Sequence, residues 1–433
     1  MSPLSIIICV LGLGLLAAAH EIGHFLVAHR LGIKVEELSI FVGPSLFSWK
    51  RKGVVYHIRL IPFGAYVRFP GADDEDSGIS NPDSYYNQPR WKRLLVSLAG
   101  PSVNVILGIL IFIIVFSNVS FLSTKIDEVY TDTQMAETNA MPGDEILAIN
   151  GRRVFTDYDI MVDFYFIPDA DPVTMTLKSQ VTGKNYTITL NPTITRKYRL
   201  GVTVKPGLDK NGGWEIAEVD PSQNGGNPVL KSGDSLIAVN GTPVTDSDYA
   251  NVISGSNGSQ VTATVIRDGV SQDITLTTTI FDTANERGIT LEKGSGFGSV
   301  IEHSILYSVS VVKVSIEGLR QVASGDLPAT DAISGPVGIA SLVSDVVDEP
   351  TTDNSQKISD LGLMAGLISV GLAFSNMLPL PGLDGNALVL IVVEMIRGKK
   401  LSLRTEQIIN AVGFVVLIGL VIFALYSDIL RLT

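Results

Sequence analysis

The chain has one cysteine, Cys9, and it lies inside an apolar run. No disulfide framework can be built from it, and a zinc site made of thiolates is excluded. Charge is scarce as well. Only 18% of the residues are Asp, Glu, Lys or Arg, against 45% hydrophobic, and mean hydropathy is +0.32. That balance points to a polytopic membrane protein rather than a soluble enzyme. Basic residues are outnumbered 32 to 44, for a net charge of −12, which argues against nucleic acid as a partner. Histidine is also rare. Of the five in the chain, three crowd into LAAAHEIGHFLVAHRLGI, residues 16–33. Ionisable groups inside an apolar segment are costly, so they are functional suspects.

About 20 apolar residues span a bilayer as a helix. Four stretches are predicted to do so: 5–31, which carries the histidines, then 94–122, 361–380 and 408–426. The first is expected to be an anchor rather than a cleaved signal. MSPLS has no basic residue, and apolar sequence resumes after His20. Between the first two spans, residues 27–93 hold ten basic residues against seven acids, and the link after the third carries Arg397, Lys399, Lys400 and Arg404. Residues 123–360 hold 17 basic and 32 acidic residues. Short basic loops stay in the cytoplasm, so the long acidic segment and both termini are placed on the other side.

Several segments have their own pattern. Residues 34–93 contain VVYHIRLIPFGAYVRF, an alternating, β-branched run that reads as strand on the cytoplasmic side, with Gly64 where a strand bends. Residues 71–90 read as a polar loop. MPGDEILAINGRRV (141–154) is echoed by LKSGDSLIAVNGTPV (230–244): Gly-Asp, an alternating strand, then Asn-Gly for a tight turn. Two copies of a small β-rich domain are predicted, 124–205 and 206–281. Residues 282–358 form a connecting region whose SILYSVSVVKVSIEGLRQV is amphipathic, with Lys313, Glu317 and Arg320 among apolar residues. It suits a helix lying on a membrane or one facing a core.

His20-Glu21-Ile22-Gly23-His24 is a His-Glu-x-x-His string. On a helix, residues four apart share a face, so two imidazoles can hold one zinc while Glu21 takes a proton from the water that attacks. Zinc needs a third protein ligand. His29 lies five residues past His24, rotated away, His57 is on the strand loop, and His303 lies across the membrane. Acids in apolar sequence are Asp384 and Glu394. Asp384 sits in FSNMLPLPGLDGNALVL, where two prolines and two glycines must interrupt a helix. A carboxylate in such a break can ligate a metal, or it can cap the helix end. Asn376 and Asn104 can hydrogen-bond a substrate backbone or tie helices together.

In their order along the chain, HEIGH (20–24), IPFGAYVRF (61–69), AGPSVN (99–104), the two Gly-Asp/Asn-Gly modules, SGPVGIA (334–340) and NMLPLPGLDG (376–385) resemble the site-2 protease family of intramembrane zinc metalloproteases, in its bacterial RseP type. The resemblance covers nearly the whole chain. It implies a polytopic α-helical membrane protein with four transmembrane helices, a membrane-associated β-sheet loop and two β-rich tandem PDZ domains in the periplasm. By domain, it reads as 1–33 first helix, 34–93 β-loop, 94–123 second helix, 124–205 and 206–281 PDZ, 282–358 connector, 359–390 third helix, and 391–433 link and fourth helix. His20, His24 and Asp384 are implied to hold one Zn2+ per chain, with Glu21 as general base. One departure is Asn386-Ala387, where many relatives continue Asp-Gly with Gly-His.

The expected activity is hydrolysis of peptide bonds inside the bilayer of the bacterial inner membrane. A substrate helix must unwind to expose its bonds, and an edge such as VVYHIRLI could pair with it as an added strand. Gly64 and Tyr66 join Asn376 and Asn104 as candidate substrate contacts. The resemblance implies pre-trimmed single-pass proteins as partners, namely anti-sigma factors and signal-peptide remnants, with membrane lipid around them. The alternatives are a catalytically silent PDZ scaffold and a membrane metal transporter. A transporter is expected to carry repeat-related broken helices in both halves, a pattern this chain lacks.

Overall fold

The computed structural model describes all residues except 71–81, 132, 168–170, 192–193, 206, 246–248, 285–287, 333–334, 350–351 and 433. Most of the polar loop read at 71–90, and Ser334 of SGPVGIA, therefore lie outside the described residues. The chain divides into two compact units. The first comprises Met1–Thr124, Val154–Val162 and Glu292–Thr433, and the second Lys125–Arg153 and Asp163–Leu291.

Seven helices organise the first unit: α1 Pro3–Arg30, α2 Arg90–Asn118, α3 Phe297–Ser324, α4 Pro336–Asp348, α5 Asn354–Asn376, α6 Asp384–Arg397 and α7 Leu403–Leu432. Among the described residues, five are long and apolar enough to cross a membrane: α1, α2, α3, α5 and the Ala411–Leu430 part of α7. The sequence predicts four, and the fifth is α3. Its apolar face is narrow because a polar stripe runs along it. Val300, Ser304, Tyr307 and Val311 are buried at helical spacing, and the apolar members pack on Phe112, Val115 and Phe116 of α2 and Val370 of α5. The charge at Lys313 does not face lipid alone. It meets the fully buried carboxylate of Asp159 at 3.1 Å, and Ser310 Oγ donates to the same group at 2.7 Å. Pairing offsets the cost that made the segment read as interfacial.

The predicted interruption near Asp384 is present. Helix α5 ends at Asn376, and α6 begins at Asp384. Between them Pro379 and Pro381 lack an N–H, and Gly382 takes φ +95°. A side chain at Gly385 would collide with the Met377 and Leu378 carbonyls, so glycine there lets α6 fold back on the end of α5.

Residues 34–93 hold the expected strands, β1 Glu37–Arg51 and β2 Val54–Arg68, paired antiparallel. The register is more involved than a simple hairpin. Residues 37–40 pair both with 55–58 and with 65–68, while 54–58 also pair with 47–51. VVYHI is therefore an inner strand, and the outer edge near α1 is 65–68. Gly14 of α1 packs against the hairpin: a Cβ there would meet Phe41 Cε1 at 3.0 Å and strike the Pro62 carbonyl. Gly14 lies near the middle of α1, so the hairpin reaches the depth of a membrane span. Leu46, Phe47, Leu60 and Phe63 remain exposed on it, as a lipid-facing surface allows.

Two six-stranded sheets of like order are built mainly from the second unit. The first runs β3 Leu122–Val129, β4 Glu145–Ile149, β5 Arg152–Arg153, β6 Val173–Lys178 and β7 Asn185–Leu190. After β8 Ile194–Arg199 and β9 Val202–Val204, the second runs β10 Trp214–Val219, β11 Ser235–Val239, β12 Thr242–Pro243, β13 Gln260–Arg267 and β14 Val270–Thr277, followed by β15 Thr279–Ala284 and β16 Ile289–Lys293. The sheet orders match: β16-β3-β4-β6-β7 and β9-β10-β11-β13-β14. The quoted motifs occupy equivalent places. Asn150 and Asn240 take φ +47° and +46° at the turn, and their side chains accept from Thr174 N and Thr262 N at 2.8 and 2.7 Å. Asp144 and Asp234 accept from Met141 N and Lys231 N at 3.0 and 2.8 Å.

Candidate metal centre

Helix α1 presents His20 and His24 one turn apart on a face that α2 covers. Both are buried, and their Nε2 atoms stand 3.1 Å apart. His20 and His24 are ten and six residues from Arg30, so the pair lies about 9–15 Å inside the end of α1. The crossing with α2 is close because it is made of small residues. A Cβ at Gly23 would fall 2.7 Å from the Ala99 carbonyl oxygen. Gly100 lies directly beneath the two rings.

Asp384 arrives from the other end of the chain. Its Oδ2 lies 2.9 Å from His20 Nε2 and 3.2 Å from His24 Nε2. Three donor atoms thus form a triangle with sides of 2.9, 3.1 and 3.2 Å. Zinc bonds of about 2.0–2.1 Å in tetrahedral array set ligand atoms about 3.3 Å apart, so the spacing and the N, N, O chemistry fit that ion. Asp384 is the first residue of α6, one past the N-cap Leu383, with no side-chain cap bond, and its Oδ2 is turned toward the histidines.

Glu21 is half-buried beside them. Its donor atom and those of His20 and His24 all lie within 4.8 Å of one another. Asp384 is nearer to both rings than that span, which favours it over Glu21 as the third member of the donor set.

The remaining candidates lie elsewhere. His29 stacks on Phe25, His57 faces Glu37 and Ser45 within the hairpin, and His303 stacks on Phe121. Glu394 is spent on a buried ion pair with Arg93. Tyr66 donates to Glu37 Oε1 at 2.6 Å, and Gly64 takes φ +78° at the bend of β2. Asn376 closes α5, half-buried, eight positions before Asp384. Asn104 is fully buried, with its amide 3.4 Å from His20 Nδ1.

Sequence reasoning did not find three contributors. The Val96 carbonyl accepts from His24 Nδ1 at 2.7 Å. Gly100 makes room for both rings, and Ser369 Oγ donates to the Asn104 carbonyl at 2.8 Å, tying α5 to α2. Backbone carbonyls carry no sequence signal. AGPSVN, which holds Gly100 and Asn104, was the available pointer.

Comparison with known proteins places the chain in a peptidase family. The model of Peptidase family M50 matches residues 8–420. The regulator of sigma-E protease RseP of Escherichia coli is 25% identical over 476 residues, covering 98% of each chain. The zinc metalloprotease RasP of Geobacillus kaustophilus is 27% identical over 441 residues, covering 98% of this chain and 97% of the relative.

Proposed function

Because the chain belongs to peptidase family M50, the site-2 protease family, we propose that it is a zinc endopeptidase that cuts peptide bonds within the membrane. The observation that carries this is the meeting of His20, His24 and Asp384 at tetrahedral-edge distances, across 360 positions of sequence. These three residues would hold one Zn2+ per chain, which would supply Lewis acidity toward a carbonyl and a water nucleophilic near neutral pH.

The chain's own groups do the rest. Glu21 accepts a proton from the attacking water and returns it to the leaving amine. Its position within one helical turn of both ligands, at the rim of the buried pair, suits that transfer. Apolar helices around the centre keep bulk water out, which strengthens each charge interaction there. The substrate is a single-pass transmembrane protein already trimmed outside the membrane, of the anti-sigma factor or signal-peptide-remnant type. Its unwound segment adds as a strand to the β2 edge at residues 65–68. Residue 68 turns its carbonyl inward to Glu36 N at 2.9 Å, so Ala65 and Val67 direct their backbone groups outward, free to pair with an added strand. Asn376, half-buried just before the break, is placed to meet the substrate backbone as it approaches.

The two β-rich repeats are PDZ domains that face the periplasm and restrict entry by size. The hairpin and the basic 398–402 link lie on the cytoplasmic side of the inner membrane, and the activity serves envelope stress signalling. Both termini face the periplasm, so the chain after α3 returns to the side from which α3 starts before α5 begins.

The test is zinc analysis and cleavage of a model transmembrane substrate by purified wild-type protein, Glu21→Gln and Asp384→Ala. We expect Glu21→Gln to keep zinc and lose cleavage by about 10²–10⁴-fold. Asp384→Ala is expected to lose both. Cleavage that survives in Glu21→Gln would overturn Glu21 as the general base, and a zinc-loaded wild type that cuts no helical substrate would return the protein to the scaffold reading.

A further inference from the structure

We infer that Asn104 is a positioning residue for the metal centre: its amide oxygen accepts the proton on His20 Nδ1 and so fixes the tautomer whose Nε2 is free to bind zinc. The inference rests on the reading that His20, His24 and Asp384 are ligands.

A neutral imidazole has one N–H and one bare nitrogen. For both histidines the atom facing the other donors is Nε2. Nε2 must therefore be bare, and the proton must sit on Nδ1. A buried N–H needs an acceptor. His24 has one in the Val96 carbonyl, 2.7 Å from Nδ1. At His20 Nδ1 the neighbour is the Asn104 amide at 3.4 Å. Asn104 has no exposed surface, so neither solvent nor a passing substrate can use that amide.

The amide can present either end. With its NH2 toward Nδ1, as placed, Nδ1 must be bare and Nε2 must carry the proton, aimed at the other two ligand atoms. In that orientation Oδ1 is buried with no partner. A half-turn of the amide puts the oxygen on Nδ1 and leaves Nε2 free. The orphaned oxygen is thus explained as the acceptor the histidine requires.

Helix α2 then sets both tautomers from one face, through the carbonyl of Val96 and the side chain of Asn104. Gly100 stands midway between them, at the i+4 position, under the rings. The α2 backbone at Asn104 is itself held, because its carbonyl accepts from the buried Ser369 Oγ of α5 at 2.8 Å. An acceptor behind a metal-bound histidine orients the ring and raises its basicity.

The experiment uses full-length protein in detergent and measures zinc dissociation constants by chelator competition for wild type, Asn104→Leu and Asn104→Asp. Leu matches the size and removes the acceptor, so zinc should bind about 10–100-fold more weakly. Asp keeps an acceptor and should stay within about threefold of wild type. Protein labelled with ¹⁵N-histidine supplies a second readout, tractable because the chain has five histidines. In wild type, two zinc-linked rings should show protonated Nδ1. In Asn104→Leu one of them should change while the ring held by Val96 does not. Zinc affinity in Asn104→Leu within about threefold of wild type, or Asn104→Asp as weak as Asn104→Leu, overturns the inference. A wild-type protein that takes up no zinc overturns the parent reading instead.

Discussion

Gly100 and His20 are in contact so close that no side chain fits between them. A Cβ on Gly100 would lie 2.6 Å from His20 Nε2 and 2.8 Å from His20 Cε1, and would strike His24 as well. Gly100 is helical, so its role is space rather than backbone freedom. Gly100→Ala must push the rings away from Asp384 or spread α1 from α2. Overpacking of this kind costs about 1–3 kcal/mol. Zinc affinity should fall at least about tenfold, a difference of about 1.4 kcal/mol, and cleavage should fall with it. Metal titration of the variant checks this, and affinity equal to wild type would contradict the packing.

Arg93 of α2 and Glu394 of α6 form a buried ion pair, each 4% exposed, with Leu401 N–H also donating to Glu394 at 3.0 Å. This pair fastens the helix that begins at Asp384 to the helix that covers the histidines. Arg93→Met leaves the buried Glu394 carboxylate with only the more distant Arg90, at 3.8 Å, and should destabilise the fold by about 3 kcal/mol. The double variant Arg93→Met/Glu394→Met should recover much of that loss. Unfolding in detergent measures the two, and equal instability of single and double variants would deny the coupling.

Val67 lies on the outer edge of β2, and its backbone N–H points away from the strand it pairs with. Val67→Pro removes the donor while keeping the strand at an edge, where proline is tolerated. Cleavage should drop at least about tenfold, because the added strand loses a donor of its ladder. Zinc content should be unchanged. Loss of zinc in this variant would mean that the edge supports the ligands rather than the substrate.

Asp157, outside the membrane-spanning helices, has its carboxyl pushed up to about 6 by burial, with the neighbouring Asp159 adding to the effect. His303 Nε2 is the facing group, 3.6 Å from Oδ1 and too distant for a hydrogen bond. A folded-state value above the ordinary 3.8 means the folded protein holds this proton more tightly than the unfolded chain. Its contribution is therefore full below about pH 4 and lost as pH rises through about 6. Asp157→Asn should stabilise the protein by about 1–2 kcal/mol at pH 7.5 and give no advantage at pH 4. Unfolding curves at the two pH values test the sign.

Local pattern made much of this protein legible. HEIGH can be read because two histidines four apart share a helix face wherever that helix goes. The Gly-Asp and Asn-Gly pairs can be read because a left-handed turn accepts few residues, and Asn150 and Asn240 occupy it. The break before Asp384 can be read because proline has no N–H to give. The edge at residues 65–68 could not be read, since VVYHIRLI has the stronger strand pattern and only the pairing shows it to be interior. Nor could the crossing length of α3, because the partner that offsets Lys313 is Asp159, 154 positions away.

The sequence by itself determined that the chain is apolar and multi-spanning, carries a two-histidine metal string with an adjacent acid, and repeats a β-rich module. Those properties follow from the spacing of residues along single segments. Only the tertiary structure decided which carboxylate meets the rings, that Gly100 gives them room, and that Val96 and Asn104 stand behind them. Contacts between helices depend on how closely two backbones approach, and that distance is set by small residues facing one another, which no single segment records.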